Sequence, residues 1–239
     1  MFNRHLLLIL YFIPQISNSQ TCVVAKIDKN CIVVGADTRE TDIKTNFRTH
    51  KSATTFSKFH KIGSEGTFHF AVMHEFGEES IYFARQAAKR NKTFQEVEKD
   101  YYTNFTHFLR LKFDSLKRQN ERNYHESYPY DSGINVIFFF GYEKNKPILH
   151  ILRFINVAPR GDRAVISISF HHDTAIGGGE INEIQDLIKS QETWKGNTQK
   201  KICELIWIEA KYHRNEVAEP IDMIYVTKNG YRMIPNPCK

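Results

Sequence analysis

The sequence predicts a single α+β domain in which helices cover a pair of β-sheets. Along its 239 residues, the hydrophobic patterns follow the order strands, helices, strands, helices, strands. The first pair of strands is apolar on both faces, which is typical of a hairpin buried inside a layered structure. No linker-like segment or internal repeat divides the chain, and its length suffices for a sizeable core.

The first twenty residues, MFNRHLLLILYFIPQISNSQ, have the parts of a secretory signal peptide. A short basic start at Arg4 and His5 precedes an apolar run over 6–13. This run is far shorter than the ~20 residues that span a bilayer. We therefore predict a signal peptide over 1–20 and a folded domain over 21–239 of a secreted or periplasmic protein, with no stable membrane span after cleavage. An uncleaved anchor and a buried N-terminal helix are the alternatives.

The position of signal cleavage decides which residue becomes the N-terminus. Small residues at the −3 and −1 positions select Ser17 and Ser19, and this cleavage leaves Gln20 at the N-terminus. Cleavage one residue later exposes Thr21 but places Gln20 at −1, where it fits less well. The sequence does not decide between these two N-termini.

The first predicted hairpin joins strands at 22–27 and 31–37 through a loop at 28–30. A three-residue hairpin loop often ends in a left-handed residue, a conformation that asparagine tolerates. Counting outwards from this loop places Thr21 directly opposite Asp37, with Cβ atoms ~5 Å apart. A two-residue loop would shift the register by one residue and separate the two side chains.

The remaining elements follow from periodicity and turn signals. Aromatic and aliphatic residues at helical spacing over 93–117 indicate a helix whose aromatic stripe faces the core rather than a cofactor. Polar and turn-forming residues predict a loop over 118–133. The other predicted strands are 67–72, 134–142, 147–155, 163–170 and a closing pair within 221–234, and the other predicted helices are 75–89, 180–190 and 198–213.

Charge and residue types favour neither a nucleic-acid partner nor a metal site. The chain has 33 basic and 27 acidic side chains, a net charge of +6, and its lysines and arginines are scattered. His171-His172-Asp173 lacks a second ligand cluster at a standard spacing. His69 and His74 would point to opposite faces of one strand. We predict no nucleic acid, no metal and no cofactor.

Four cysteines could take part in disulfides if the protein is exported. They are Cys22, Cys31, Cys203 and Cys238. Their number is too small for a disulfide scaffold in a chain of this length, and their pairing cannot be deduced from the sequence.

Two segments near the N-terminus carry a family resemblance. Residues 21–41 read TCVVAKIDKNCIVVGADTRET, and residues 58–62 read KFHKI. They resemble the opening of proteasome β-type subunits, which are N-terminal-nucleophile hydrolases. That family begins with a catalytic threonine, carries GADTR-T after its second strand and has a lysine in a K-x-HKI motif. The matching residues are Thr21, the GADTR segment that ends at Arg39, and Lys58.

Weaker similarities continue along the chain. FFFGYEKNKPIL, AIGGG and IDMIYVTKNG resemble the family's central hairpin, its AIGSG turn and its closing strand pair. The resemblance implies a four-layer α/β/β/α sandwich in one domain. Three positions depart from the family pattern. Gly178 replaces a serine, AVMHEFG lacks the oxyanion-site glycine at 72–74, and 214–217 contains neither the aspartate nor the serine that supports the nucleophile's amine.

The resemblance implies amide hydrolysis through an acyl-enzyme. Thr21 is the implied nucleophile, and its α-amino group is the implied base because a reference pKa of about 7.7–8.0 leaves a neutral fraction near pH 7. Lys58 would place a positive charge beside both groups. Asp37 would hold Lys58, because a buried lysine without a partner is costly.

Three further residues have an implied substrate-binding or supporting role. Arg39 is the implied structural residue and Thr41 orients the substrate. Backbone N–H groups near His74 would stabilise the tetrahedral oxyanion. Taken alone, none of these residues indicates catalysis.

Three functions fit these observations. The first is a secreted or periplasmic threonine peptidase, an enzyme for proteolysis, and the second is an amidase for non-peptide amides. The third is a catalytically inactive relative that binds peptides or assembles, which Gly178 and a retained Gln20 would favour. A peptide or another amide is the expected partner, and the family resemblance also implies a homo-oligomeric ring.

Overall fold

The structure, a computed structural model, describes residues 21–37, 58–63, 68–72, 76–158, 163–179, 181–213, 217, 221–235 and 237–238. The strands in these ranges are β1 (Cys22–Asp28), β2 (Cys31–Asp37), β3 (Phe59–Ile62), β4 (Phe68–Val72), β5 (Ser132–Glu143), β6 (Lys146–Val157), β7 (Val165–His172), β8 (Ala175–Gly179), β9 (Ile221–Thr227) and β10 (Gly230–Pro235). The helices are α1 (Gly77–Arg90), α2 (Phe94–Gln119), α3 (Glu121–Ser127), α4 (Gln185–Lys189) and α5 (Thr198–Tyr212), with a 3-10 turn at Gln191–Trp194.

The strands form two antiparallel sheets of five strands each. The first sheet has the order β10-β9-β2-β1-β8, and the second has the order β3-β4-β5-β6-β7. The N-terminal hairpin therefore lies inside the first sheet, and β7 and β8 each form a sheet edge. This arrangement confirms the prediction of a single α+β domain.

Three hydrophobic clusters hold the elements together. One cluster contains side chains from both sheets, among them Val23, Val34, Phe138 and Ile151. A second joins the second sheet to α1, α2 and α3, and a third joins the first sheet to α4 and α5. Both faces of the β1–β2 hairpin are buried in this way, which explains its continuous apolar sequence.

The predicted register of the first hairpin is wrong by one residue. Ile27 pairs with Ile32, so the loop contains only Lys29 and Asn30 rather than three residues. Lys29 has a φ of 45°, which is the left-handed conformation that two-residue hairpin loops require. Thr21 is consequently not directly opposite Asp37, because Val23 pairs with Ala36.

Helix α2 follows its predicted pattern closely. The Thr93 hydroxyl accepts a hydrogen bond from the Glu96 N–H, and the Glu96 carboxylate accepts one from the Thr93 N–H. This capping box fixes the start of the helix. The stripe of Tyr101, Phe105 and Phe113 is buried against the second sheet, so its interpretation as core is confirmed.

Several elements differ from the sequence-based predictions. The predicted loop over 118–133 contains α3, whose start is capped by the Asn120 side chain and whose Tyr124 is buried. The predicted helix over 180–190 is reduced to the short α4. The segment AIGGG forms the edge strand β8 instead of a turn.

One disulfide connects α5 to the C-terminal segment. Cys203 and Cys238 are bonded, with Cα atoms 5.7 Å apart. The thiols of Cys22 and Cys31 form no disulfide.

Some predicted features lie outside the described residues. They are the signal peptide over 1–20, the residues Arg39, Thr41 and His74, and the segment 214–216. Within the described ranges, no helix is long and apolar enough to cross a membrane.

Candidate active site

Three of the side chains singled out in the sequence meet where the two sheets approach each other. Thr21 directly precedes β1, and Asp37 is the last residue of β2, so both belong to the first sheet. Lys58 directly precedes β3 and reaches the pair from the second sheet.

The Lys58 ammonium group bridges the other two residues. Its Nζ atom donates a hydrogen bond to Thr21 Oγ1 at 2.7 Å and another to Asp37 Oδ1 at 3.1 Å. The same carboxylate oxygen accepts a hydrogen bond from the Cys22 N–H at 3.0 Å. Asp37 thus orients both the lysine and the backbone beside Thr21.

This bridge also explains how the site forms despite the one-residue difference in register. The shifted pairing separates Thr21 from Asp37 along the strands. Lys58 has a long, flexible stem whose head group can donate three hydrogen bonds, and it contacts both side chains at once. The two residues are therefore linked through the lysine rather than as a cross-strand pair.

The site is largely shielded from solvent. Thr21 is 2% exposed, and the side chains of Asp37 and Lys58 are 0% and 14% exposed. Charges in such surroundings interact more strongly than on the surface, but each needs a partner to offset its lost hydration. The ion pair supplies that partner and fixes the direction of the lysine head group.

The edge strand β8 pairs with β1 and lies beside Thr21. Gly179 has a φ of 83°, and a Cβ atom added there would overlap the Thr21 carbonyl oxygen. Gly178 pairs with Val23 and has no side chain that could contact Thr21. The glycine at position 179 thus permits close contact between the backbones of β8 and Thr21.

Asp222 is a second carboxylate near Lys58 that the sequence reasoning missed. It lies on β9 and pairs with Ala36, whose side chain points into the cluster between the sheets. Burial raises the pKa of Asp222, and the charge of Lys58 partly opposes this rise. An acidic residue inside the apolar strand IDMIYVT is the signal that could have identified it.

The arrangement is suited to activating a hydroxyl group. A hydrogen bond from an ammonium group favours the ionised form of the oxygen that accepts it, so Lys58 stabilises negative charge on Thr21 Oγ1. The sequence joins the Thr21 nitrogen to Gln20 through a peptide bond. Only removal of the preceding residues would supply a free amine as the base.

No group of three or more histidine, cysteine or acidic side chains with metal-binding geometry occurs among the described residues. His171 and His172 lie at the end of β7, and the His172 ring is 3.8 Å from the His150 ring, centroid to centroid. His150 Nδ1 and Glu98 Oε1 lie within hydrogen-bonding distance, at 3.0 Å. Through these contacts, His150 and His172 connect α2, β6 and β7.

The comparisons with known proteins leave the family open. No protein-family model matches the chain, and no curated protein sequence is significantly similar to it.

Proposed function

We propose that the protein is an exported N-terminal threonine hydrolase that cleaves peptide or other amide bonds, with the four-layer fold of the proteasome-like N-terminal-nucleophile hydrolases. The observation that carries the proposal is the bridge from Lys58 Nζ to Thr21 Oγ1 and Asp37 Oδ1. Two further features support it. Hydrophobic clusters lie between the two sheets and on the helix-covered side of each. The Cys203–Cys238 disulfide is typical of exported proteins.

The proposed reaction begins when cleavage before Thr21 frees its α-amino group. The neutral amine takes the proton from Oγ1, and Oγ1 attacks the carbonyl carbon of the substrate amide. The tetrahedral intermediate collapses, the amine passes its proton to the leaving nitrogen, and an ester to Thr21 remains. Water then attacks this ester, returns the proton to Oγ1 and releases the acid.

Lys58 and Asp37 have separate parts in this scheme. Lys58 favours the ionised hydroxyl and the neutral amine, because its own positive charge disfavours a second one nearby. Asp37 accepts a hydrogen bond from Lys58 and holds its head group in place. The oxyanion donors are expected from the backbone near His74.

A threonine-directed electrophile tests the proposal. We expect a β-lactone to acylate the mature protein once, at Thr21, as measured by intact mass and peptide mapping. Thr21→Ala should abolish the adduct, and Lys58→Met should slow its formation by roughly 100-fold or more. Thr174→Ala, at an exposed threonine, serves as the matched control and should label at the normal rate. Labelling of the Thr21→Ala protein at the wild-type rate would refute the assignment.

The second candidate is an inactive binding or assembly protein, and Gly178 is the observation that favours it. N-terminal sequencing of the protein from its native host separates the two. A terminus at Thr21 supports the hydrolase, whereas a terminus at Gln20 or earlier blocks the amine and supports the binding protein. For an active protein, a peptide-library digest then distinguishes a peptidase from an amidase. Sedimentation of the mature chain tests whether it forms the homo-oligomeric ring that the resemblance implies.

A further inference from the structure

Arg153 is a charged side chain in an apolar row. It lies on β6 two residues after Ile151 and four after Leu149, and both of these face the cluster between the sheets. Alternation along the strand places Arg153 on the same side. It is partly buried and lies between Ile151 and Ile155 in this row, on the strand that pairs with the edge strand β7.

Few protein contacts replace the water that the guanidinium group of Arg153 loses on burial. Within the described part of the chain, its only hydrogen bond is from Nη2 to the Gly177 carbonyl oxygen at 3.4 Å, and no carboxylate forms a salt bridge with it. Its Nε atom is buried without an acceptor. Burial lowers the pKa of Arg153, yet a guanidinium group remains protonated in proteins. A partly buried cation with an unused donor is costly, and such costs often mark binding sites.

A cavity of about 230 Å³ opens beside this guanidinium group. Its wall includes Gly177 and Ile188, and its basic residues are Arg153 and Lys189. Asp173 also lines it and is exposed. The lysine, arginine and aspartate of the lining together carry two formal positive charges and one negative charge.

We propose that this cavity binds a carboxylate group, with Arg153 as the principal partner and Lys189 as the second. The planar guanidinium fork matches the two oxygens of a carboxylate, and its Nη2 atom makes only a long hydrogen bond of 3.4 Å to the Gly177 carbonyl oxygen. The net lining charge of one suits a monoanion better than a phosphate dianion. Ile188 and the β8 backbone would contact the apolar part of the ligand.

The site is separate from the Thr21 site. Gly177 pairs with Val24, three residues from Thr21, which corresponds to about 10 Å along the strand. The carboxylate could belong to a small free acid or to the side chain of a bound peptide. Binding does not require a free Thr21 amine, so the proposal can be tested on the Thr21→Ala protein and stands apart from the hydrolase assignment.

Binding is measured by titrating the full chain with butyrate, a monocarboxylate, and, separately, with a short end-capped peptide that contains one glutamate as its only carboxylate. Chloride at equal ionic strength is the control, and the readouts are the melting temperature and the amide signal of Gly177. We expect saturable binding of one or both probes. Arg153→Met should weaken it by roughly tenfold or more. The same variant should melt higher than the wild type in carboxylate-free buffer, because an apolar chain replaces a partly buried cation.

Two further variants keep the test decisive. Lys189→Gln changes an exposed side chain, so the fold should be retained and binding should weaken severalfold. Arg122→Met, at an exposed arginine of α3, should bind as the wild type does. Binding of the glutamate peptide alone identifies a peptide side chain as the source of the carboxylate. The proposal is overturned if neither probe saturates, if only inorganic phosphate binds, or if Arg153→Met and Lys189→Gln both bind normally.

Discussion

The Lys58 ammonium group lies between Thr21 Oγ1, directly before β1, and Asp37 Oδ1, at the end of β2. Because its partner Asp37 is 0% exposed, the value of this ion pair depends on both charges being present. Removing a single member leaves the other in a poorly hydrated position, whereas removing both does not. The contact therefore predicts a coupled effect on stability that is independent of any catalysis.

We expect Lys58→Met to lower the free energy of unfolding by about 3 kcal/mol, because the Asp37 carboxylate loses the facing ammonium group. Asp37→Asn should also destabilise the protein. The double variant should recover part of the combined loss, and urea denaturation of all four proteins measures this coupling. Strict additivity of the two single effects would contradict the proposed pair.

Gly179 makes a second residue-scale prediction. Gly179→Ala should destabilise the protein by more than the ~1–2 kcal/mol that a left-handed conformation costs, because its Cβ atom would overlap the Thr21 carbonyl oxygen. Gly196→Ala is a matched control, since Gly196 has a φ of 98° and open space around it. Thermal unfolding of the two variants separates the steric part from the conformational part. Equal losses would argue against close packing of β8 on Thr21.

At the scale of elements, the sequence predicted correctly which side chains meet at the site. It did not predict the strand register that brings them together. The motifs identified Thr21, Asp37 and Lys58, but the register depended on whether Lys29 adopts a positive φ. That choice is worth only about 1–2 kcal/mol and has no clear signal in Asp28-Lys29-Asn30. The bridge tolerates the difference because a lysine side chain can reach across it.

Strand β8 and helix α3 were missed for different physical reasons. The three glycines of β8 have low strand propensity, but the Thr21 backbone leaves no room for a side chain at Gly179, and a side chain at Gly177 would require Ile188 to move. Helix α3 is short and polar, and its formation depends on the Asn120 cap and on burial of Tyr124. Neither tertiary effect can be read from one sequence. Asp222 was missed because the pairing of β9 with β2 is equally non-local.

The packing of β3 on α1 gives an element-scale prediction about pH. Burial lowers the pKa of His60, and the charge of Arg85 on α1 lowers it further. The folded protein therefore favours neutral His60, while the unfolded chain takes up a proton near its ordinary pKa of about 6.5. The stabilising contribution is present above about pH 6.5 and is lost as the pH falls through the lower folded pKa.

We expect the urea midpoint of the wild type to fall between about pH 7.5 and about pH 5.5, and His60→Gln to reduce this fall. His107→Gln, at an exposed position of α2, is the control and should leave the slope unchanged. An unchanged slope in His60→Gln would show that other groups determine the acid sensitivity.

At the scale of the whole molecule, the candidate site depends on both sheets, and the covering of the first sheet depends on α5. Cys22, Val24 and Val33 pack into the cluster that α5 helps to form, directly beside the strand ends of the site. The Cys203–Cys238 disulfide fastens the C-terminal segment to this helix across 35 residues of chain. A cross-link of that span restricts the unfolded chain more than the folded one.

Reduction should therefore lower the free energy of unfolding by about 2–4 kcal/mol, measured as the urea midpoint with and without a phosphine reductant. Cys238→Ser should match the reduced wild type and show no response to reductant. Cys31→Ser should retain the full response, because Cys31 forms no disulfide. In a reducing compartment, Cys203 and Cys238 should remain free thiols, and the protein should be less stable. Mass spectrometry of the native protein with and without alkylation therefore also tests export. Complete alkylation of the native protein without prior reduction would contradict both the bond and the proposed oxidising location.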